Sequence, residues 1–284
     1  MSEDKTMQEP VQEGPPKVLL EIEDGVAWVT LNRPHRLNAM TLEGLDLLLS
    51  FIRQAGEDPE VRALVITGAG EDAFCIGSDV RLLDEAYATR DFRYFRDYLN
   101  KINGVFFALE EQPIPTIAMV QGRARAGGFE LIMSCDFVFI AEETRIGDAH
   151  TPFGHMPGAG ATQRLARKIG YQRAMEIIMS GRWMEGPEVA QLGLALEAVP
   201  RAELRKTVTA FVDDLKEKTR DSLAHIKRVM LRGWDLPLRD AVQMEIQSYI
   251  EYLATCMEPV EIYHRNQEKR RARKREKARG EGGE

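Results

Sequence analysis

Glu130 is the carboxylate in this chain best placed for acid–base work. It lies in VQGRARAGGFELIMSCD, residues 120–136, which reads as a strand running into a glycine turn and then a short apolar helix. Gly127 and Gly128 let backbone N–H groups come close to a ligand, because glycine has no Cβ to keep other atoms away. One turn into the helix, between Phe129 and Leu131, burial would tune the ionisation of Glu130. The structural alternative for Glu130 is a carboxylate that satisfies the positive end of its helix. Two further stretches offer partners: AFCIGSD at 73–79, and IGDAHTPFGHMPGAG at 146–160, which carries Asp148, His150 and His155. An imidazole exchanges protons near neutral pH, so His150 is a second candidate acid or base. The five histidines and the acidic residues show no metal-ligand spacing.

The elements around these stretches alternate. KVLLEIEDGVAWVTLNR, from Lys17, predicts a hairpin with strands at 18–22 and 26–31 around Asp24-Gly25. RPHRLNAM follows as a loop, and Thr41 can cap a helix with Leu42, Leu45, Leu48, Leu49 and Ile52 on one face. A strand at 62–67 comes next, then a long helical stretch from Arg81 with Phe95, Leu99, Ile102 and Phe106 in step, ended by Pro113 and Pro115. PTIAMVQG and CDFVFIAEE read as further strands, and the glycines of PGAG, 157–160, expose N–H groups at the start of the helix TQRLARKIG. This rhythm predicts an α/β sheet with right-handed crossovers. From Tyr171 the spacing is helical almost throughout, apart from an extended LALEAVP at 194–200. The expected organisation is a tail over 1–16, an α/β core over 17–200, a helical part over 201–266 and a basic tail over 267–284.

The chain has 284 residues and 44% apolar content, which suits a globular core. Cys75, Cys135 and Cys256 form no CxxC pair, and the acidic, Pro-containing first 16 residues have neither a signal-peptide nor a membrane-anchor pattern. Free thiols and a cytoplasmic location are expected. No apolar run reaches the roughly 20 residues that span a bilayer. The net charge of −7 argues against nucleic acid as a partner, although EKRRARKREKARGEGGE is dense in Lys and Arg.

Four motifs, in order, resemble those of the crotonase superfamily, the enoyl-CoA hydratase and isomerase family. RPHRLNAM is similar to RPxxxNA, AFCIGSD to AFCAGAD, VQGRARAGGFEL to VNGxAxGGGxEL, and PGAGATQRL to PGxGxTQRL. The resemblance runs from about Lys17 to about Asn266 and implies an α/β spiral of ββα units, a C-terminal helical trimerisation part, and a trimer or dimer of trimers. It implies an acyl-CoA substrate with coenzyme A as part of the thioester, and no tightly bound cofactor. The family chemistry stabilises an enolate on the thioester oxygen, here between the N–H groups of Ser78 and Gly127. The adenine would lie beside Ala39 and Ile76, with Asp79 and Gly128 adjoining the CoA site. Arg36 and His35 are positioned to meet phosphates, with solvent exposure as the alternative for His35.

Glu130 matches one of the two glutamates of the hydratases. The second falls in a segment similar to FGxPExxxGxxPG, where this chain has His150. A neutral imidazole could activate water and an imidazolium could donate a proton, while Asp148 could orient the ring or face away from it. Arg123 and Arg125 depart from the aliphatic or aromatic residues usual in VNGxAxGGG. They are expected either to read a second carboxylate on the acyl group or to form structural ion pairs. His155 is expected at the surface or a subunit contact. The implied activity is hydration or isomerisation of an enoyl-CoA. The alternatives are C–C hydrolysis, decarboxylation, or a non-catalytic protein that binds RNA or a partner.

Overall fold

Each turn of the chain lays one strand in a large sheet and the next in a small one. The computed structural model describes residues 15–256, 260–268 and 270–271, so most of the two expected tails lies outside the described residues. β1 (Val18–Glu23) and β2 (Val26–Leu31) form the expected antiparallel hairpin, with Asp24 and Gly25 both at positive φ as a two-residue turn requires. Thr41 caps α1 (Leu42–Glu57) by accepting the Gly44 N–H at 3.1 Å, and Leu45, Leu48 and Ile52 are buried. β3 (Ala63–Gly68) then runs parallel to β2, and β4 (Ala73–Cys75) starts the small sheet.

The long helical stretch is two helices, α2 (Val80–Thr89) and α3 (Phe92–Glu110). Arg90 takes a left-handed conformation between them and Asp91 restarts the helix by accepting the Arg93 N–H, so local capping overrides a continuous apolar pattern. β5 (Thr116–Val120) returns to the large sheet and β6 (Arg123–Arg125) to the small one, before α4 (Gly127–Met133). β7 (Phe137–Ala141) and β8 (Arg145–Gly147) repeat the move, followed by α5 (Ala161–Ile169), α6 (Tyr171–Ser180), β9 (Met184–Glu185), α7 (Gly186–Gln191) and β10 (Glu197–Val199).

The large sheet has the order β1-β2-β3-β5-β7-β10, and the small sheet β4-β6-β8-β9. β2, β3, β5, β7 and β10 are mutually parallel, as the crossovers require. Strands of two or three residues cannot display a two-residue alternation, so the small sheet leaves no periodic sign along the chain. One apolar cluster fills the space between the sheets and α1, α3, α4 and α5. A second lies on the other face of the large sheet, where Trp28, Val65 and Phe139 meet Leu204, Val208 and Val212 of α8 (Arg201–Lys216). α9 (Arg220–Gly233) and α10 (Leu238–Thr255) pair with each other. Among the described residues no helix is long and apolar enough to cross a membrane.

Candidate active site

The small sheet brings three loops together. β4 leads to Gly77 and Ser78, β6 leads to α4, and β8 leads to Asp148 and His150. Ala124 pairs with Cys75 on one side and Ile146 on the other, which fixes the level at which the three loops leave the strands. The Ala126 N–H also donates to the Asp148 carbonyl at 3.0 Å, joining the second loop to the third.

The glycine pair works differently from the expected turn. Gly127 and Gly128 lie inside α4, and the residue that turns the chain is Ala126, at φ 48° and ψ −122°. A non-glycine residue in that region is strained and persists only where its surroundings hold it. Glycine is required at 128 because a Cβ would lie 2.0 Å from the Cys75 carbonyl oxygen. At 127 a Cβ would meet the Met40 Cε at 2.9 Å and the Gly77 Cα at 3.3 Å. Close approach therefore presses α4 onto the Cys75–Ser78 backbone. Among the described residues neither the Ser78 N–H nor the Gly127 N–H has a hydrogen-bond acceptor. Two neighbouring unpaired donors can receive one oxyanion.

Glu130 is only 2% exposed. Its Oε1 accepts the N–H groups of Ala159 at 2.8 Å and Ala161 at 3.1 Å, so the carboxylate also holds the start of α5. Burial raises its pKa, opposed by the charge of His150 and by these two N–H groups. Across the site the His150 Nδ1–H donates to Asp148 Oδ1 at 3.0 Å, which settles the open question of where Asp148 points. A carboxylate can only accept, so this bond leaves Nε2 as the nitrogen for proton exchange. The Asp148 side chain is fully buried and that of His150 is 17% exposed. Burial lowers the His150 pKa, but the hydrogen bond and charge of Asp148, aided by the charge of Glu130, outweigh it and leave the pKa raised.

The remaining expected residues divide. Ala39 and Ile76 lie on adjoining segments, with the Ile76 N–H donating to the Leu37 carbonyl at 3.2 Å and the Ala39 carbonyl accepting from Arg33 at 2.6 Å. His35 and Arg36 are exposed on the short 3-10 turn Pro34–Arg36. The Asp79 carboxylate is held by Arg33 at 3.0 Å and Arg81 at 2.8 Å, and it caps α2. The Arg81 hydrogen bond, against the opposing effect of burial, keeps its pKa well below the usual carboxylate range. Arg123 and Arg125 form no ion pair among the described residues. Arg123 donates to the Asp72 carbonyl at 3.2 Å, and the Arg125 guanidinium lies 4.9 Å from the centre of the Phe153 ring. His155 is half-buried, with its ring against Tyr87 and hydrogen-bonded to the Tyr87 hydroxyl. Among the described residues no group of three or more His, Cys, Asp or Glu is arranged to hold a metal ion.

Comparison with known proteins accords with this geometry. The family model for enoyl-CoA hydratase/isomerase matches residues 21–274. The chain belongs to the enoyl-CoA hydratase/isomerase family. With membership comes the family's general activity, the processing of acyl-CoA thioesters. The chain is 33% identical over 238 residues to the short-chain-enoyl-CoA hydratase of Clostridium acetobutylicum, covering 84% of this chain and 90% of that one. An enoyl-CoA hydratase structure from Bacillus anthracis superposes with a TM-score of 0.82 at 30% identity, covering 89% of this chain and 96% of that one. One from Geobacillus kaustophilus gives 0.84 at 26%, covering 90% and 95%. The crotonase spiral expected from the four motifs is the fold observed.

Within this family member, three supporting residues escaped the sequence reading. Asn38 is buried and ties loops together, accepting from the Arg33 N–H and donating to the carbonyls of Ala69 and Ala73. Arg33 holds Asp79 and the Ala39 carbonyl. Tyr98 is buried on α3, and its hydroxyl donates to Ser78 Oγ at 2.5 Å. The aromatic residue of RDYLN carries no local sign of that role; the contact spans 20 residues.

Proposed function

We propose that the chain catalyses the reversible hydration of an enoyl-CoA, with Glu130 and His150 as its acid–base pair over a hole formed by Ser78 and Gly127. The observation that carries this reading is the pair of unpaired N–H groups beside a buried carboxylate and an Asp-held imidazole. The thioester carbonyl oxygen accepts both N–H groups. Glu130, ionised, takes a proton from water as the water oxygen bonds to the β-carbon of the C=C bond. The electron pair of that bond moves to the thioester oxygen as an enolate, which the two donors stabilise. The His150 imidazolium then gives the Nε2 proton to the α-carbon, and the proton on Glu130 returns to His150 through solvent. Asp148 orients the ring and favours its charged form. Histidine here performs the work of the hydratases' second glutamate.

In this reading the CoA lies across the Pro34–Met40 loop, with its adenine beside Ala39 and Ile76 and its phosphates toward Arg36. Isomerisation uses the same two groups without water. The Asp148–His150 pair also favours a second reading, hydrolysis of a C–C bond in a β-diketone, with the imidazole activating water for attack on a carbonyl. Turnover of a panel of enoyl-CoAs in ¹⁸O-labelled water separates them. Hydration puts the label in a 3-hydroxyacyl-CoA, C–C hydrolysis of a β-diketone probe puts it in a carboxylate, and turnover of enoyl-CoAs with no label in any acyl product sinks the hydratase reading.

Assembly as a trimer or dimer of trimers is part of the proposal. Met230, Trp234, Leu238 and Ile250 on or beside α9 and α10 are each more than half exposed, an apolar surface that a second copy would bury. Light scattering that gives a monomer mass would exclude it.

A further inference from the structure

Arg125 is the one guanidinium of its kind here. Four arginines, Arg62, Arg125, Arg201 and Arg220, have a buried Nε with no hydrogen-bond partner among the described residues. Arg62 and Arg220 each place another guanidinium nitrogen on a backbone carbonyl, and Arg201 places one near the Glu71 carboxylate. The Arg125 side chain makes no hydrogen bond and no ion pair with any described residue. Its guanidinium lies over the face of Phe153. A guanidinium has five donors in a planar fork and stays charged at any working pH, so partial burial without an acceptor leaves a large solvation cost uncompensated.

The position gives that charge a direction. Arg125 ends β6 opposite Gly147, one residue before Asp148, and Ala124 beside it points into the core. Successive side chains on a strand face opposite ways, so Arg125 points away from that core. Phe153, the ring it lies on, closes the 3-10 turn Thr151–Phe153 that follows His150, and is 61% exposed. The charge of Arg125 is among those felt by His150. Neither Asp148 nor Glu130 takes its fork: the Asp148 oxygens serve His150, and Glu130 Oε1 serves Ala159 and Ala161.

We propose that Arg125 reads a second carboxylate on the acyl chain, so that the preferred substrates are acyl-CoA thioesters whose acyl group ends in an anion. This assignment rests on the acyl-CoA site proposed above. A planar carboxylate matches the fork in two parallel N–H···O bonds, and Phe153 holds the fork flat from one side. A charged hydrogen bond of this type corresponds to roughly 10- to 100-fold in affinity.

The test compares binding of succinyl-, glutaryl- and adipyl-CoA with propionyl-, butyryl- and hexanoyl-CoA by calorimetry, on the full chain and on Arg125→Met and Arg125→Lys. These saturated thioesters have no C=C bond to hydrate. The wild-type chain should bind at least one carboxylated member about tenfold or more tightly than its neutral counterpart. Arg125→Met should collapse that ratio to near one, and Arg125→Lys should leave an intermediate value. Using the ratio removes any general effect of the substitution on the site. A wild-type ratio near one at every length overturns the assignment, as does a ratio unchanged in Arg125→Met. An equal loss of affinity for free CoA, or a change in assembly mass, would assign Arg125 to a CoA phosphate or a subunit contact and overturn it likewise. If the ratio behaves as expected while enoyl-CoAs take up no labelled oxygen, the anion site stands and the hydratase reading falls.

Discussion

On one side of the candidate site, around Gly77, Ser78 and Gly127, the proposed working atoms belong to the backbone; on the other, from Asp148 to Ala161, the proposal depends on side chains. The first region holds its two donors by close packing, with α4 seated against Cys75 and a strained Ala126 at the bend. None of that requires a titratable group. The second region depends on carboxylate and imidazole chemistry, and there the charges regulate one another: Asp148 and Glu130 raise the His150 pKa, while His150 opposes the rise at Glu130. Backbone chemistry is therefore specified by what cannot fit, and acid–base chemistry by which side chain is present.

The two regions should fail differently. Glu130→Gln has the largest expected effect, a fall in kcat of roughly 10²- to 10⁴-fold. Acyl-CoA affinity should remain within a few-fold, because the amide oxygen can still accept the Ala159 and Ala161 N–H groups. Unchanged turnover would remove Glu130 from the mechanism. Gly128→Ala comes next. Its Cβ would fall 2.0 Å from the Cys75 carbonyl oxygen, so α4 must move away and misplace the Gly127 donor. A kcat loss of roughly 10²- to 10³-fold follows from losing one such donor. Overpacking should also lower unfolding stability by about 1–3 kcal/mol, measured by denaturant titration. Normal kinetics would show that the hole does not depend on this contact.

The pH dependence sharpens the comparison further, because only in the second region are the proposed working groups titratable. In the proposed mechanism Glu130 works ionised, so kcat should rise with pH through a pKa above its ordinary value of 4.5. In the same mechanism His150 works protonated, so kcat should fall through a pKa above 6.5. His150→Ala should abolish the falling limb. Asp148→Asn should move it to lower pH with the smallest loss of maximal rate, since the hydrogen bond and charge that outweigh burial are weakened while the ring remains. A falling limb that ignores both substitutions would assign it to another group.

Local features were legible in the sequence because their causes are local. Asp24-Gly25 specifies a two-residue turn, Thr41 a helix start, and the leucines of α1 a buried face. The four motifs in order were enough to point to the fold, and they named the segments that converge at the site. The small sheet was not legible, since β9 has two residues and β4, β6 and β8 have three each. Nor was the split between α2 and α3, where a left-handed Arg90 interrupts a continuous helical pattern. Asp79 looked like part of the CoA site because of its place in AFCIGSD. Arg81 is a local partner two residues further on, whereas Arg33 lies 46 residues away and reaches Asp79 only through the tertiary structure.

By itself the sequence determined the chemical inventory: one carboxylate in a glycine-led helix, an imidazole two residues after an aspartate, and two arginines in a motif that usually has none. Tertiary structure decided what those groups face. It placed Asp148 on Nδ1 of His150, put the Ala159 and Ala161 N–H groups on Glu130, and left the Arg125 fork without an acceptor among the described residues. The physical reason is distance along the chain. Helix periods, turns and caps are settled within a few residues, whereas hydrogen bonds and electrostatic coupling between 125, 130, 148 and 159 exist only once the small sheet has brought separate turns of the spiral together.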